Sequence, residues 1–279
     1  MENFAGDTIM LQRGSFRNGY QCYVYCEVQK DGKEVRIDST DGGGDIYVWK
    51  KDISGERQLR RYARLRRITK TEFKELIRLS RDRNLLIRLQ VAEILIDVMN
   101  QASKKLLVRL AKDRDELVRT EAYDSLHVFW LSDVEEFLRK AIKREKDELA
   151  CTYAIRSWGI VASKIFDDYE DDITFANELL KTKKIKESER CRLECFDSLY
   201  RFGDETALAE IVKFAESDDC YTRQWVYRSL EEFWDQENKA MVIDTVEKLI
   251  IKEEYPAIRK EFLTYLKMLI TEEELDEDE

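Results

Sequence analysis

The residue types that most often carry nucleophilic or metal chemistry are few in this chain. There is one histidine, His127, and six cysteines, Cys22, Cys26, Cys151, Cys191, Cys195 and Cys220. A zinc site needs several thiolate or imidazole ligands at short spacing, and an activated nucleophile needs a base within hydrogen-bond reach. No Cys-x-x-Cys occurs, His127 has neither a Cys nor another His nearby in sequence, and no Gly-x-Ser-x-Gly elbow is present. Asp41-Gly42-Gly43-Gly44-Asp45 has the glycine content of a phosphate loop but lacks the Lys-Ser/Thr that must follow. It reads as a strand connection. Carboxylates abound, but no pair is singled out by spacing as an acid and base. The expectation is a chain with no catalytic residue, no metal and no cofactor. Cys191 and Cys195 lie four residues apart on one apolar stripe, so free buried thiols, and with them a reducing cytoplasm, are expected.

What remains is recognition chemistry. Arg57, Arg60, Arg61 and Arg64 share one helical face inside a run, residues 57–70, that contains no acid. Such a face is a candidate anion site for nucleic acid, an acidic partner or the chain's own tail. The other reading is a solvated helix whose Leu59, Tyr62, Ala63 and Leu65 turn inward. A second surface follows from a column of residues spaced at roughly 30–40 positions: Glu93, Asp124, Arg156, Asp197, Arg228 and Thr264, with Tyr153, Tyr200, Trp225 and His127 beside it. Mixed charge with aromatics is what protein-binding surfaces use. The candidate partner-binding residues are therefore Asp124, Tyr153, Arg156, Asp197, Tyr200, Trp225 and Arg228. Trp225 and Tyr153 would equally fill gaps inside the fold.

These columns exist because the chain repeats. Asp115 to Leu126 and Asp147 to Trp158 share Asp, Glu, Leu, Thr, Ala and Ser at the same offsets, and looser copies begin at Asn84, Ser188, Asp219 and Tyr255. Within each copy apolar residues recur at i, i+4 and i+8. The first column is Ile87, Val118, Ala150, Cys191, Thr222, Ile258; the second is Val91, Ala122, Ala154, Cys195, Val226, Phe262; the third is Leu95, Leu126, Trp158, Leu199, Leu230, Leu266. That period is one stripe of a helix. Five of the six opening residues are good N-caps, and the sixth, Tyr255, precedes Pro256, the sole proline, where a first helical turn tolerates it. A second apolar stripe precedes each copy, for example Leu107, Leu110 and Ala111. Each copy is thus the second helix of a hairpin that cannot bury its stripe alone and must stack on its neighbours.

Over residues 69–270 this pattern resembles the HEAT-repeat family. The most specific mark is an arginine inside the second helix, at Arg88, Arg119, Arg192, Arg223 and Arg259, broken only by Cys151. The resemblance implies an acid six residues before each arginine, pairing with it across neighbouring units. Asp82, Asp113 and Glu253 fit; Lys186 and Ser217 depart. It further implies a mainly α fold, a right-handed αα superhelix of about six HEAT-like hairpins. The alkylpurine DNA glycosylases are similar in repeat count but use a basic groove with a Trp and a catalytic Asp. No Trp-x-x-x-Asp occurs here on a second helix. HEAT-like phycobilin lyases are similar in repeat type.

Eight of the ten glycines fall in the first 55 residues, where alternation over Tyr20–Val28, the Asp31-Gly32 turn and Glu34–Ile37 predict a β-hairpin, with a further strand at Ile46–Trp49. The expected organisation is a β-rich segment over 1–55 capping the helices, a solenoid over 56–270 and an acidic disordered tail over 271–279. The net charge of −10 argues against general nucleic-acid binding and permits a basic partner. No signal peptide or membrane span is visible. The leading expectation is a non-catalytic protein-binding scaffold or inhibitor gripping its partner on a concave face, and a toxin-neutralising immunity protein would suit these properties. The alternative is a HEAT-like DNA glycosylase or other nucleic-acid-acting enzyme.

Overall fold

The computed structural model describes residues 8–15, 21–28, 34–39 and 70–276. Strands β1 (Thr8–Ser15), β2 (Gln21–Val28) and β3 (Glu34–Ser39) form a sheet in that order. β2 and β3 run antiparallel, with an irregularity between Tyr25 and Cys26. The expected role of this segment as a cap on the helices finds no support. The Asp41–Asp45 loop, the Ile46–Trp49 strand, the boundary at residue 55 and Arg57, Arg60, Arg61 and Arg64 lie outside the described residues.

The helices fall into two compact units, one ending at Asp172 and one beginning at Ile173. The first holds three hairpins: α1 (Lys70–Leu79) with α2 (Leu85–Ile96), α3 (Gln101–Leu110) with α4 (Glu116–Leu126), and α5 (Ser132–Arg144) with α6 (Glu148–Ile165). The second also holds three. Most of α7 (Glu170–Lys181) and the short α8 (Lys183–Lys186) precede α9 (Glu189–Arg201). Then α10 (Thr206–Ile211), continued by a 3-10 turn over Val212–Glu216, precedes α11 (Cys220–Phe233), and α12 (Lys239–Lys252) precedes α13 (Pro256–Asp276). The last helix runs past residue 270, into the stretch expected to be a disordered tail. Its sequence there is glutamate-rich, and glutamate is a good helix former.

Local chemistry explains the element boundaries. The side chains of Asn84, Asp115, Asp147, Ser188 and Asp219 each accept a backbone N–H from the first turn of the helix that follows. α9 ends where Gly203 takes φ +89°; Asp204 N–H then reaches the Leu199 carbonyl and Gly203 N–H the Tyr200 carbonyl. That paired closure requires a left-handed residue, which only glycine adopts without strain. All three apolar columns are buried along their length, except that Leu266 in the last hairpin is partly open.

The arginine column is bonded in a regular way. Arg88 forks onto Asp113 with two bonds of 2.8 Å, and Arg119 onto Glu145 likewise. In the second unit Arg223 gives both Nε and Nη2 to one oxygen of Glu253, at 3.2 and 2.7 Å. Each arginine therefore pairs with the acid of the following hairpin, and its third nitrogen donates to the carbonyl six residues earlier: Asp82, Asp113 and Ser217. The acids also close the turn that enters their own second helix, since Asp113 accepts from Asp115 N–H, Glu145 from Asp147 N–H and Glu253 from Tyr255 N–H. Burial alone would raise the Asp113 and Glu145 carboxyls. The opposing guanidinium and the turn amides outweigh it and hold both below their ordinary values. Where Ser217 replaces the acid, Arg192 has no carboxylate: its Nε is buried without a hydrogen-bond partner and its guanidinium lies over Phe214, 5.2 Å from the ring centre.

Candidate partner-binding surface

The expected recognition column rides on the second helices, whose opposite stripe is fixed in the core. In the first unit it emerges as a patch. Glu93 on α2 is exposed, while Asp124 on α4 and Tyr153 and Arg156 on α6 are half-buried. Glu121, one turn before Asp124, joins them. Its carboxyl is pushed up to about 8, first by burial and then by the charges of Asp124 and Glu93, and the Ser125 hydroxyl opposes the shift only in part. Three carboxyl groups from two adjacent helices thus share one patch, and at neutral pH one of them stays protonated. Sequence reasoning passed over Glu121, although its i, i+3 spacing from Asp124 places two like charges on one helix face. His127 lies at the C-terminal cap of α4, where its Nδ1 is hydrogen-bonded to the Asp124 carbonyl.

In the second unit the column behaves differently. Asp197 is 2% exposed and Trp225 5% exposed, so neither offers much surface. Asp197 accepts from Arg201 Nε and from Ser229 Oγ, both at 2.8 Å. Arg201 also forks onto Glu232 and lies over the Phe233 ring at 4.8 Å. These contacts tie α9 to α11 and consume the polar atoms that a partner would need. The outward expectation for Asp197 is therefore corrected, and Trp225 takes its gap-filling alternative. Tyr200 is half-buried, 4.7 Å from Phe233, and Arg228 is exposed.

Among the described residues no group of three His, Cys, Asp or Glu could hold a metal ion. Cys151, Cys191, Cys195 and Cys220 are buried free thiols. Burial, then Cys191 and Glu194, raise the Cys195 thiol well above its ordinary value, the opposite of an activated nucleophile. Trp158 is enclosed in the core and donates to Glu135 at 3.0 Å. No described helix is long and apolar enough to cross a membrane.

No protein-family model matches the chain, and no curated protein matches it. Among solved structures, it is similar to a chain of the complex of CpcE and CpcF of phycocyanin lyase from Nostoc sp. PCC7120. That match has a TM-score of 0.50 at 13% identity and covers 84% of this chain and 99% of the other. An archaeal HEAT-like repeats protein from Thermococcus onnurineus NA1 matches with TM-score 0.38 at 14% identity, over 79% of this chain and 94% of that one. The first match, with the stacked hairpins and the arginine column, shows a fold: an α-solenoid of HEAT-like repeats.

Proposed function

We propose that this HEAT-like helical-repeat chain is a non-catalytic protein-binding scaffold or inhibitor whose partner is basic and binds the outward flank of the second helices. The observation that carries the reading is the sharing of one patch by Glu93, Glu121 and Asp124 on neighbouring helices. Like charges held together destabilise each other, and an arriving cation relieves them. Tyr153 and Arg156 on the next second helix supply residue types enriched at binding anchors. The fold neighbour belongs to a complex of two proteins, CpcE and CpcF, which supports protein association as a use of this architecture. A toxin-neutralising immunity protein fits the same reading, with a basic toxin as the partner, and the buried free thiols fit a reducing cytoplasm. A nucleic-acid-acting enzyme is favoured less, because phosphates would meet carboxylates on the described flank.

Binding of a lysine-rich peptide, an acidic peptide and a DNA duplex to the full chain, followed by fluorescence anisotropy, tests this. The lysine-rich peptide should bind at low salt, weaken as salt rises and weaken further in Glu93→Gln/Asp124→Asn. The other two ligands should not bind. Near neutral pH, calorimetry in buffers of different ionisation enthalpy should show proton release, because a bound cation favours ionised Glu121. Tighter binding to the duplex than to the basic peptide, or basic-peptide binding indifferent to both substitutions, would refute the assignment.

A further inference from the structure

Within each compact unit, a hairpin followed by another presents a face that the next one covers. The position three residues before the third apolar column shows this. The Ala92 carbonyl accepts from the Ser125 hydroxyl of the next second helix, and the Tyr123 hydroxyl donates to Glu145. Phe196 meets Phe214 at 6.4 Å, and Tyr227 meets Phe262 at 5.0 Å and Tyr265 at 5.3 Å. In α13 the same position is Leu263, and it is 40% exposed. Ile270, seven residues on, is 41% exposed, and Leu266 between them is partly open. The arginine column agrees: Arg88, Arg119 and Arg223 each hold the next hairpin's acid, whereas exposed Arg259 has no carboxylate partner among the described residues. The end of α12 repeats the pattern, because Ala111 and Ala215 are buried and the corresponding Ile251 is 80% exposed.

The outer face of α13 keeps the apolar and ionic character of an internal joint. The sequence of α13 also specifies what can occupy it. Arg259, Leu263, Leu266, Ile270 and Glu273 follow each other at spacings of four and three, a single seam along the helix. The seam is basic at its start, where Lys260 adjoins Arg259, apolar in its middle and acidic at its end, where Glu272 and Glu274 adjoin Glu273. The two charged ends stand about 21 Å apart at 1.5 Å per residue.

We propose that α13 pairs antiparallel with α13 of a second copy of this chain. An isologous two-fold joint brings the same patch of both copies together. It places Leu263, Leu266 and Ile270 against their counterparts and sets the Arg259–Lys260 end of each helix beside the Glu272–Glu274 end of the other. A parallel pairing would oppose like charges at both ends. The joint uses residues of the last hairpin only.

Sedimentation equilibrium of the full chain tests the proposal. The 33.2 kDa chain should sediment at twice its mass within the range up to about 100 µM, where a joint of modest size is populated. Ile270→Glu should raise the dissociation constant by at least about tenfold with an unchanged far-ultraviolet circular dichroism spectrum, because the side chain is exposed in one copy alone. Arg259→Glu with Lys260→Glu should also weaken the dimer, and adding Glu273→Lys with Glu274→Lys to the same chain should restore it. A monomer throughout the range overturns the proposal and gives the seam to a different occupant. A dimer indifferent to Ile270→Glu, or one that the four-residue swap fails to restore, overturns it as well.

Discussion

Replacing Glu121 with glutamine keeps the size of the side chain and removes its ability to ionise. In the folded protein this carboxyl titrates at about 8, against 4.5 for an ordinary glutamate. Between those values the folded state holds a proton that the unfolded state has released, so stability falls as pH rises, by about 1.4 kcal/mol per pH unit. The stabilising proton is fully present in both states below about pH 4.5, and the penalty is complete above about pH 8. At pH 7 the difference is at most about 3 kcal/mol, and solvent reaching the partly open side chain reduces it to about 1–3 kcal/mol. Glu121→Gln should therefore match the wild type near pH 4.5 and exceed it increasingly towards pH 8. Urea unfolding midpoints for both proteins across that range measure the effect, and the background titration of all other groups cancels in the difference. Parallel curves for the two proteins, or a variant that is the weaker at pH 8, would refute the reasoning that burial and two neighbouring charges hold the proton on Glu121.

Glu253→Ala should cost about 3–5 kcal/mol, because it leaves Arg223 buried without its counter-charge, and a loss below 1 kcal/mol in urea titrations would contradict that account. Ser217→Asp should stabilise by about 1 kcal/mol, since it places a carboxylate where Arg192 lacks one, at the same separation as Arg88 and Asp113, and the exposed Glu189 now bonded to Ser217 is able to swing away; an unchanged or lower melting temperature would count against it. Gly203→Ala should cost about 1 kcal/mol by strain alone, because a Cβ there meets nothing within 4 Å while φ is +89°. Calorimetric melting of that variant checks the sign.

The core was legible because a helical stripe needs only period and polarity to be seen. Ile87, Val91 and Leu95 announce their burial by spacing, and so do their equivalents down the chain. The N-caps were legible for the same local reason. The arginine ladder was only half legible. Glu145 was passed over as an acid because Cys151, six residues later, breaks the arginine column. The acid and arginine of one hairpin serve different neighbours, so the loss of one does not remove the need for the other: Glu145 still holds Arg119. Asp197 was misplaced because a helical wheel separates core from flank but does not mark the edges where adjacent second helices touch, the same edges at which Trp225 fills its gap. Ser229 and Arg201 reach Asp197 across and along such an edge. Glu121 escaped notice because burial, the largest cause of its shift, and Glu93, on another helix, do not show in the local spacing.

The acid that clamps the preceding arginine always stands two residues before the cap of its own helix: Asp113 before Asp115, Glu145 before Asp147, and the serine variant Ser217 before Asp219. One side chain serves both joints, so an added residue in that turn would uncouple them. The connections at the other end of each hairpin carry no such double duty, and the repeat spacing stretches from 31 to 41 residues through a longer α6 and the added α8 without lengthening them. Those connections are the natural places to splice in a fluorescent reporter, a protease site or new chain termini while keeping the array intact.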